Sequence, residues 1–156
     1  MVLLPTLAHC HSLNIYQSDI QPSNILNTSV RPPVLVDFGA ALDNSSAIQD
    51  ASRKIRAMTP GFSAPEIFSL SSDPASSMGV GPWTELFSLG AVGFVSIAWR
   101  LPQIGDLGSE VNALNAKHGT PSQLAAAIGW CLAIEPHKRP QKVNDVLNLL
   151  ALVVKI

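Results

Sequence analysis

The stretch Ile15-Tyr16-Gln17-Ser18-Asp19-Ile20-Gln21-Pro22-Ser23-Asn24-Ile25-Leu26, taken with Val34-Leu35-Val36-Asp37-Phe38-Gly39, decides the reading of this chain. Ile25-Leu26 and the run Val34-Leu35-Val36 flank a polar connection, Asn27–Pro33, that ends in two prolines. Short apolar runs separated by a turn-rich link predict a small hairpin rather than a helix. Asp19 and Asn24 precede the first strand of that hairpin, and Asp37 follows the second.

Outward from there the pattern turns helical. Leu3, Leu4, Leu7 and Ala8 recur at helix-face spacing, and Pro5 is tolerated only in a first turn, so a helix is predicted within residues 2–13. From Gly39 to Pro82 the chain is rich in Ser, Ala, Gly, Pro and Asp, with one helical turn predicted around Ala64–Leu70. Irregular stretches of this length are usually functional or mobile. Thr84 reads as the N-cap of an apolar helix over 85–98, and residues 102–120, interrupted by Gly and Asn, as a weak helix at most. Pro121 or Ser122 opens a helix through Leu132, and Pro140 ends the next loop. Val143, Val146, Leu147, Leu150 and Val153 mark an amphipathic helix over Val143–Val154. The fold class is mainly α with one small β element, and no repeat is visible.

Composition narrows the function classes. The 156 residues are 47% hydrophobic and 13% charged, with 10 Lys and Arg against 11 Asp and Glu for a net charge of -1. A typical domain is about 25% charged. The length allows one domain with a real core, and the near-neutral balance gives no basis for binding nucleic acid or an anionic membrane. The longest apolar run, Leu86 to Trp99, is 14 residues, whereas a membrane span needs about 20. The start, Met1-Val2-Leu3-Leu4-Pro5, has no basic region and does not read as a secretory signal. Cys10 and Cys131 lack a second Cys at metal or redox spacing and read as reduced thiols of a cytoplasmic chain. His9-Cys10-His11 suggests a metal site, but i and i+2 face apart on a helix, so a packed or half-exposed pair is the preferred reading. Trp83, Trp99 and Trp130 read as core or loop anchors.

Five segments, in order, make the chain resemble the C-terminal lobe of a bacterial serine/threonine protein kinase. Residues 15–26 resemble the catalytic loop, H-R-D-x-K-P-x-N, and Val34–Gly39 the D-F-G magnesium motif on a strand. Thr59-Pro60-Gly61-Phe62-Ser63-Ala64-Pro65-Glu66 resembles the substrate-docking loop with its A-P-E end. Glu85-Leu86-Phe87-Ser88-Leu89-Gly90 resembles the start of the buried central helix. Cys131 to Pro140, with Glu135-Pro136-His137-Lys138-Arg139-Pro140, resembles the D-P-x-x-R-P loop. A lone D-F-G carries little weight; an Asp, an Asn five residues on, D-F-G thirteen residues later and then A-P-E carry much more.

The resemblance implies a kinase C-lobe-like helical domain whose small β-hairpin carries the catalytic loop and the D-F-G motif. It implies one partial domain over 1–156 with an activation segment at 37–66. Asp19 would receive the proton of a substrate hydroxyl, and Asn24 and Asp37, hard oxygen donors, would hold Mg²⁺ and with it ATP. Thr59 would hydrogen-bond Asp19 and, with Gly61, dock a protein substrate. Glu66 and Arg139 would form a buried ion pair, with Lys138 a surface residue, and Glu85 would anchor the catalytic-loop backbone.

Departures from the pattern temper the expected activity. Gln17, Ser18 and Gln21 stand where the family has His, Arg and Lys, and Glu85 where it has Asp. The Gly-rich loop, the strand lysine and its helix glutamate belong to an N-terminal lobe, and the resemblance places Met1 inside the helix before the catalytic loop. Losing one preorganised charge-stabilising group costs about 3–4 kcal/mol of barrier. The expectation is therefore a truncated kinase domain, ancestrally an ATP-dependent protein Ser/Thr phosphotransferase, inactive or very weak alone unless a separately encoded N-lobe completes it. The alternative is a pseudokinase-like protein-binding module without catalysis, and a third reading is a decayed fragment. Ser45, Ser46 and Ser52, with Arg53 and Arg56 as local cations, read as a solvated loop.

Overall fold

The protein is described by a computed structural model over residues 3–28, 30–43, 59–69 and 81–151. Helix α1 (Leu3–Ser12) leads through Asn14, in left-handed backbone, into strand β1 (Ile15–Tyr16). Strands β2 (Ile25–Thr28) and β3 (Arg31–Leu35) form the expected hairpin, with Ile25 opposite Leu35 and Leu26 opposite Val34. Pro32 and Pro33 lie inside β3, not in the link, a placement open to them because among the described residues β3 pairs with β2 alone. A second ladder, unforeseen in the sequence, pairs β1 with β4 (Leu42–Asp43).

The helices build the body. They are α2 (Pro65–Ser69), α3 (Pro82–Ala98), α4 (Leu107–His118), α5 (Ser122–Cys131) and α6 (Val143–Ala151). Helix α3 is apolar around much of its circumference and runs between two cores. Leu86 and Val92 pack with Leu4 and Leu7 of α1, Ala127 and Cys131 of α5, and Val146 and Leu150 of α6. Phe87, Ala91 and Phe94 pack with Ala64, Ile67, Leu114, Ile128 and Leu132. Ile20 and Leu35 join the first core, which ties the loop around Asp19 and the hairpin to the helices. At Gly90 a Cβ would stand 2.7 Å from the Cβ of Cys131, so the α3–α5 approach requires a glycine there.

Three expectations need correction. The N-cap of α3 is Gly81, not Thr84; Thr84 is the third helical residue and its Oγ1 accepts from the Gly81 N–H at 3.3 Å. Residues 107–118 form a full 12-residue helix. Its Gly and Asn residues do not break it because Leu114 is buried, Gly119 ends it in left-handed backbone, and Asn115 donates to Thr120 O and Ser122 Oγ. Trp99 anchors nothing in the core: it is 88% exposed, at the left-handed C-cap of α3. Cys10 and Cys131 are free. Among the described residues no helix is long and apolar enough to cross a membrane. Ser45, Ser46, Ser52, Arg53 and Arg56 lie outside the described residues, as does the expected helical extension past Ala151.

Candidate active site

Asp19 sits on the loop between β1 and β2, and three neutral donors converge on its carboxylate. Thr59 Oγ1 donates to Oδ1 at 2.7 Å, while Gln21 Nε2 at 2.7 Å and Asn24 Nδ2 at 2.9 Å donate to Oδ2. Asn24 Nδ2 also donates to the Asp19 carbonyl at 2.9 Å. Asn24 ends a single 3₁₀ turn begun by Pro22, whose fixed φ suits that position, and its side chain is buried. Its amide nitrogen is committed to Asp19, which leaves its Oδ1 as an acceptor.

Asp37 follows β3 in left-handed backbone (φ 57°, ψ 75°), a conformation Asp tolerates better than most residues. Its Oδ1 accepts from the Gly39 N–H at 3.1 Å. Val36 N–H donates to Asn24 O at 2.9 Å, so the backbone immediately before Asp37 is tied to Asn24. The donor set fits Mg²⁺: one amide oxygen and one exposed carboxylate are hard ligands, few enough to leave coordination positions for water and phosphate oxygens. Among the described residues no cluster of three His, Cys, Asp or Glu side chains suits a metal, and His9-Cys10-His11 forms none.

Behind the loop lies a second network. Glu85, 2% exposed at the start of α3, accepts from the Ser18 N–H on Oε1 at 2.8 Å, and its Oε2 stands 2.6 Å from His11 Nε2. Ser18 is itself left-handed (φ 68°), so Glu85 holds the loop backbone at a left-handed residue. His11 packs on the Tyr16 ring at 5.2 Å between centroids, and its Nδ1 is buried without a partner. Burial first, and the charge of Glu85 second, push the Tyr16 hydroxyl and the Cys10 thiol above their ordinary values. Gln17, fully buried, accepts from Asp19 N–H and donates to the carbonyls of Val36 and Asp37.

The segment Thr59–Glu66 is held from below. Gly61 has φ +85°, and a Cβ there would lie 2.5 Å from Leu101 Cδ1. Arg139, 2% exposed, reaches Glu66 through two bonds of 2.7 and 2.8 Å, and donates to Ala133 O and Ile134 O at 2.7 Å each. Thr84 Oγ1 donates to Glu66 Oε1 at 2.9 Å, and the guanidinium stacks 4.8 Å from the Phe87 centroid. Lys138 is on the surface, paired with Glu135. The sequence alone gave no signal for the roles of His11, Gln17 or Gln21, because each depends on a partner's position rather than on residue type.

The protein kinase domain model matches residues 2–149, and the chain belongs to that family. The family uses ATP and Mg²⁺ and acts on proteins. Among curated relatives, the DNA damage-responsive serine/threonine-protein kinase RqkA of Deinococcus radiodurans is 26% identical over 94% of this chain. Serine/threonine-protein kinase PknK of Mycobacterium tuberculosis is 28% identical over 92%, and serine/threonine-protein kinase D of Synechocystis 32% over 95%. The chain spans 22%, 13% and 29% of those three proteins. The solved PpkA-294 apo form superposes with a TM-score of 0.70 at 25% identity, covering 95% of this chain and 50% of that one.

Proposed function

We propose that these residues supply the C-terminal-lobe half of an ATP-dependent phosphotransfer site for protein Ser/Thr hydroxyls. The observation that carries the reading is the Asp19 carboxylate, fixed at once by Gln21 and Asn24 from its own loop and by Thr59 from 40 residues further along the chain. Asp19 orients the attacking hydroxyl and takes its proton. Asn24 Oδ1 and Asp37 are the groups to hold Mg²⁺, which when bound neutralises phosphate charge. Thr59 positions Asp19 and, with Gly61, forms the floor on which a peptide is laid. Glu66, Arg139 and Glu85 are structural. The activation segment is 37–66, of which residues 44–58 lie outside the described residues. The catalytic loop is degenerate, since Gln21 offers no cation, and the Gly-rich nucleotide loop of an N-lobe is not among these 156 residues. Alone they are inactive or nearly so, and a separate N-lobe is one way to complete them.

Radiolabelled phosphate transfer to a protein substrate is the test. The 156-residue chain should give little or none, and transfer that Asp19→Ala abolishes would refute its inactivity. The second reading, a pseudokinase-like protein-binding module, is favoured by the exposed cross-strand pair Leu26 and Val34, with Val30 and Phe38 also exposed. A thermal shift on adding Mg-ATP that Asp37→Ala removes decides for nucleotide binding over this module.

A further inference from the structure

Gln17 occupies a place where its two ends do different work. Its side chain is wholly buried, 0% exposed. Oε1 accepts from the Asp19 N–H at 3.0 Å; Nε2 donates to Asp37 O at 2.8 Å and to Val36 O at 3.3 Å. The amide orientation is fixed by its neighbours, since a backbone N–H requires an acceptor and a carbonyl a donor. Both tied segments are left-handed in backbone, at Ser18 (φ 68°) and at Asp37 (φ 57°). Conformations of this kind persist only when their surroundings over-determine them.

We infer that Gln17 is a positioning residue, a single buried amide that sets Asp19 and Asp37 relative to one another and takes over a place that residue type alone marks as degenerate. This rests on the proposed reading that Asp19 and Asp37 serve one reaction. An amide carries an acceptor oxygen and a donor nitrogen with two N–H groups on a rigid plane, so displacing either segment pulls on the other. A neutral imidazole offers one acceptor and one donor, enough for one bond to each segment, whereas a carboxylate offers acceptors only. Glu at position 17 therefore keeps the Asp19 tie, loses the Asp37 tie and turns charge toward two carbonyls.

The test compares the full 156-residue chain with Gln17→Glu, Gln17→His and Gln17→Leu by backbone NMR and amide hydrogen exchange without metal. In the wild type the Asp19 amide is protected. Gln17→Leu should speed its exchange by about tenfold, the loss of one buried hydrogen bond, and shift the resonances of Asp37 to Gly39. Gln17→Glu should keep Asp19 protected while shifting Asp37 to Gly39, and Gln17→His should restore both toward wild type. Should Gln17→Leu fail to fold, the Glu and His variants still decide. Asp37 to Gly39 resonances unmoved in a folded Gln17→Glu, or an Asp19 amide unprotected in the wild type, would overturn the inference. Mn²⁺ titration of the wild type, read by water-proton relaxation, tests the underlying reading separately: no binding at Asn24 and Asp37 counts against that reading and not against the Gln17 tie.

Discussion

Replacing Glu66 with Ala isolates the charge of Arg139 in the centre of the helical body. The guanidinium is 2% exposed and loses both carboxylate bonds, 2.7 and 2.8 Å, while its bonds to Ala133 O and Ile134 O remain. Thr84 loses its acceptor in the same substitution. Removing one partner of a buried pair costs about 3–5 kcal/mol, because the surviving charge stays desolvated. A domain of this size holds about 5–15 kcal/mol in total, and each kcal/mol moves its melting point by about 2–4 °C. Glu66→Ala should therefore lower the melting temperature by about 6–20 °C. Urea denaturation followed by far-UV circular dichroism measures the loss, and an unchanged slope certifies that the native state is otherwise intact. The double variant Glu66→Leu with Arg139→Met should lose less than Glu66→Ala alone, since it leaves no charge behind. A loss below about 1 kcal/mol for Glu66→Ala, the range of an exposed pair, would refute the reasoning.

Four further outcomes follow from the same geometry. Gly61→Ala forces a Cβ onto a φ of +85° and toward Leu101; it should cost about 1–2 kcal/mol, measured as a fall in melting temperature that Leu101→Ala relieves only in part. Burial pushes the Cys131 thiol from 9.0 to about 12. Its stabilising contribution is whole below 9.0 and lost as pH rises toward 12, so the urea midpoint should fall between pH 9 and 11 more steeply in wild type than in Cys131→Ala. The Arg100 guanidinium, through its hydrogen bonds first, holds the Glu110 carboxyl below the usual carboxylate range. That contribution is present above the usual range and lost as pH falls, and Glu110→Gln should flatten the acid limb of the stability curve. Gln21→Lys puts a cation beside Asp19 and should raise any phosphate incorporation by about a hundredfold; an unchanged rate would show that charge at this place is not what the loop lacks.

How much was legible in the sequence depended on whether a residue's role is set by its own chemistry or by its neighbour's position. The hairpin and helices α3, α5 and α6 were readable because β-branched runs and 3.6-residue spacing report local preference. Helix α4 was not, since Leu114 and the Asn115 bonds to Thr120 and Ser122 outweigh the breaking tendency of its Gly and Asn residues. Thr84 looked like an N-cap because its type suits one; its hydroxyl instead serves Gly81 and Glu66. Asp19, Asn24, Asp37 and Thr59 were nominated by the resemblance, and direct hydrogen bonds link the first, second and fourth. Gln17 looked like a loss because the family's residue there is an imidazole, and a type comparison cannot see the bonds its amide makes to Asp19 N–H and to the Val36 and Asp37 carbonyls.

Glu85 has one oxygen on Ser18 and the other on His11, 74 residues away along the chain. A carboxylate shortened by one methylene pivots on a tighter radius and cannot span the same gap without drawing the first helix inward. Positions 11 and 85 are therefore coupled through side-chain reach, whereas the contact at position 18 is made by its backbone N–H and does not depend on which side chain stands there.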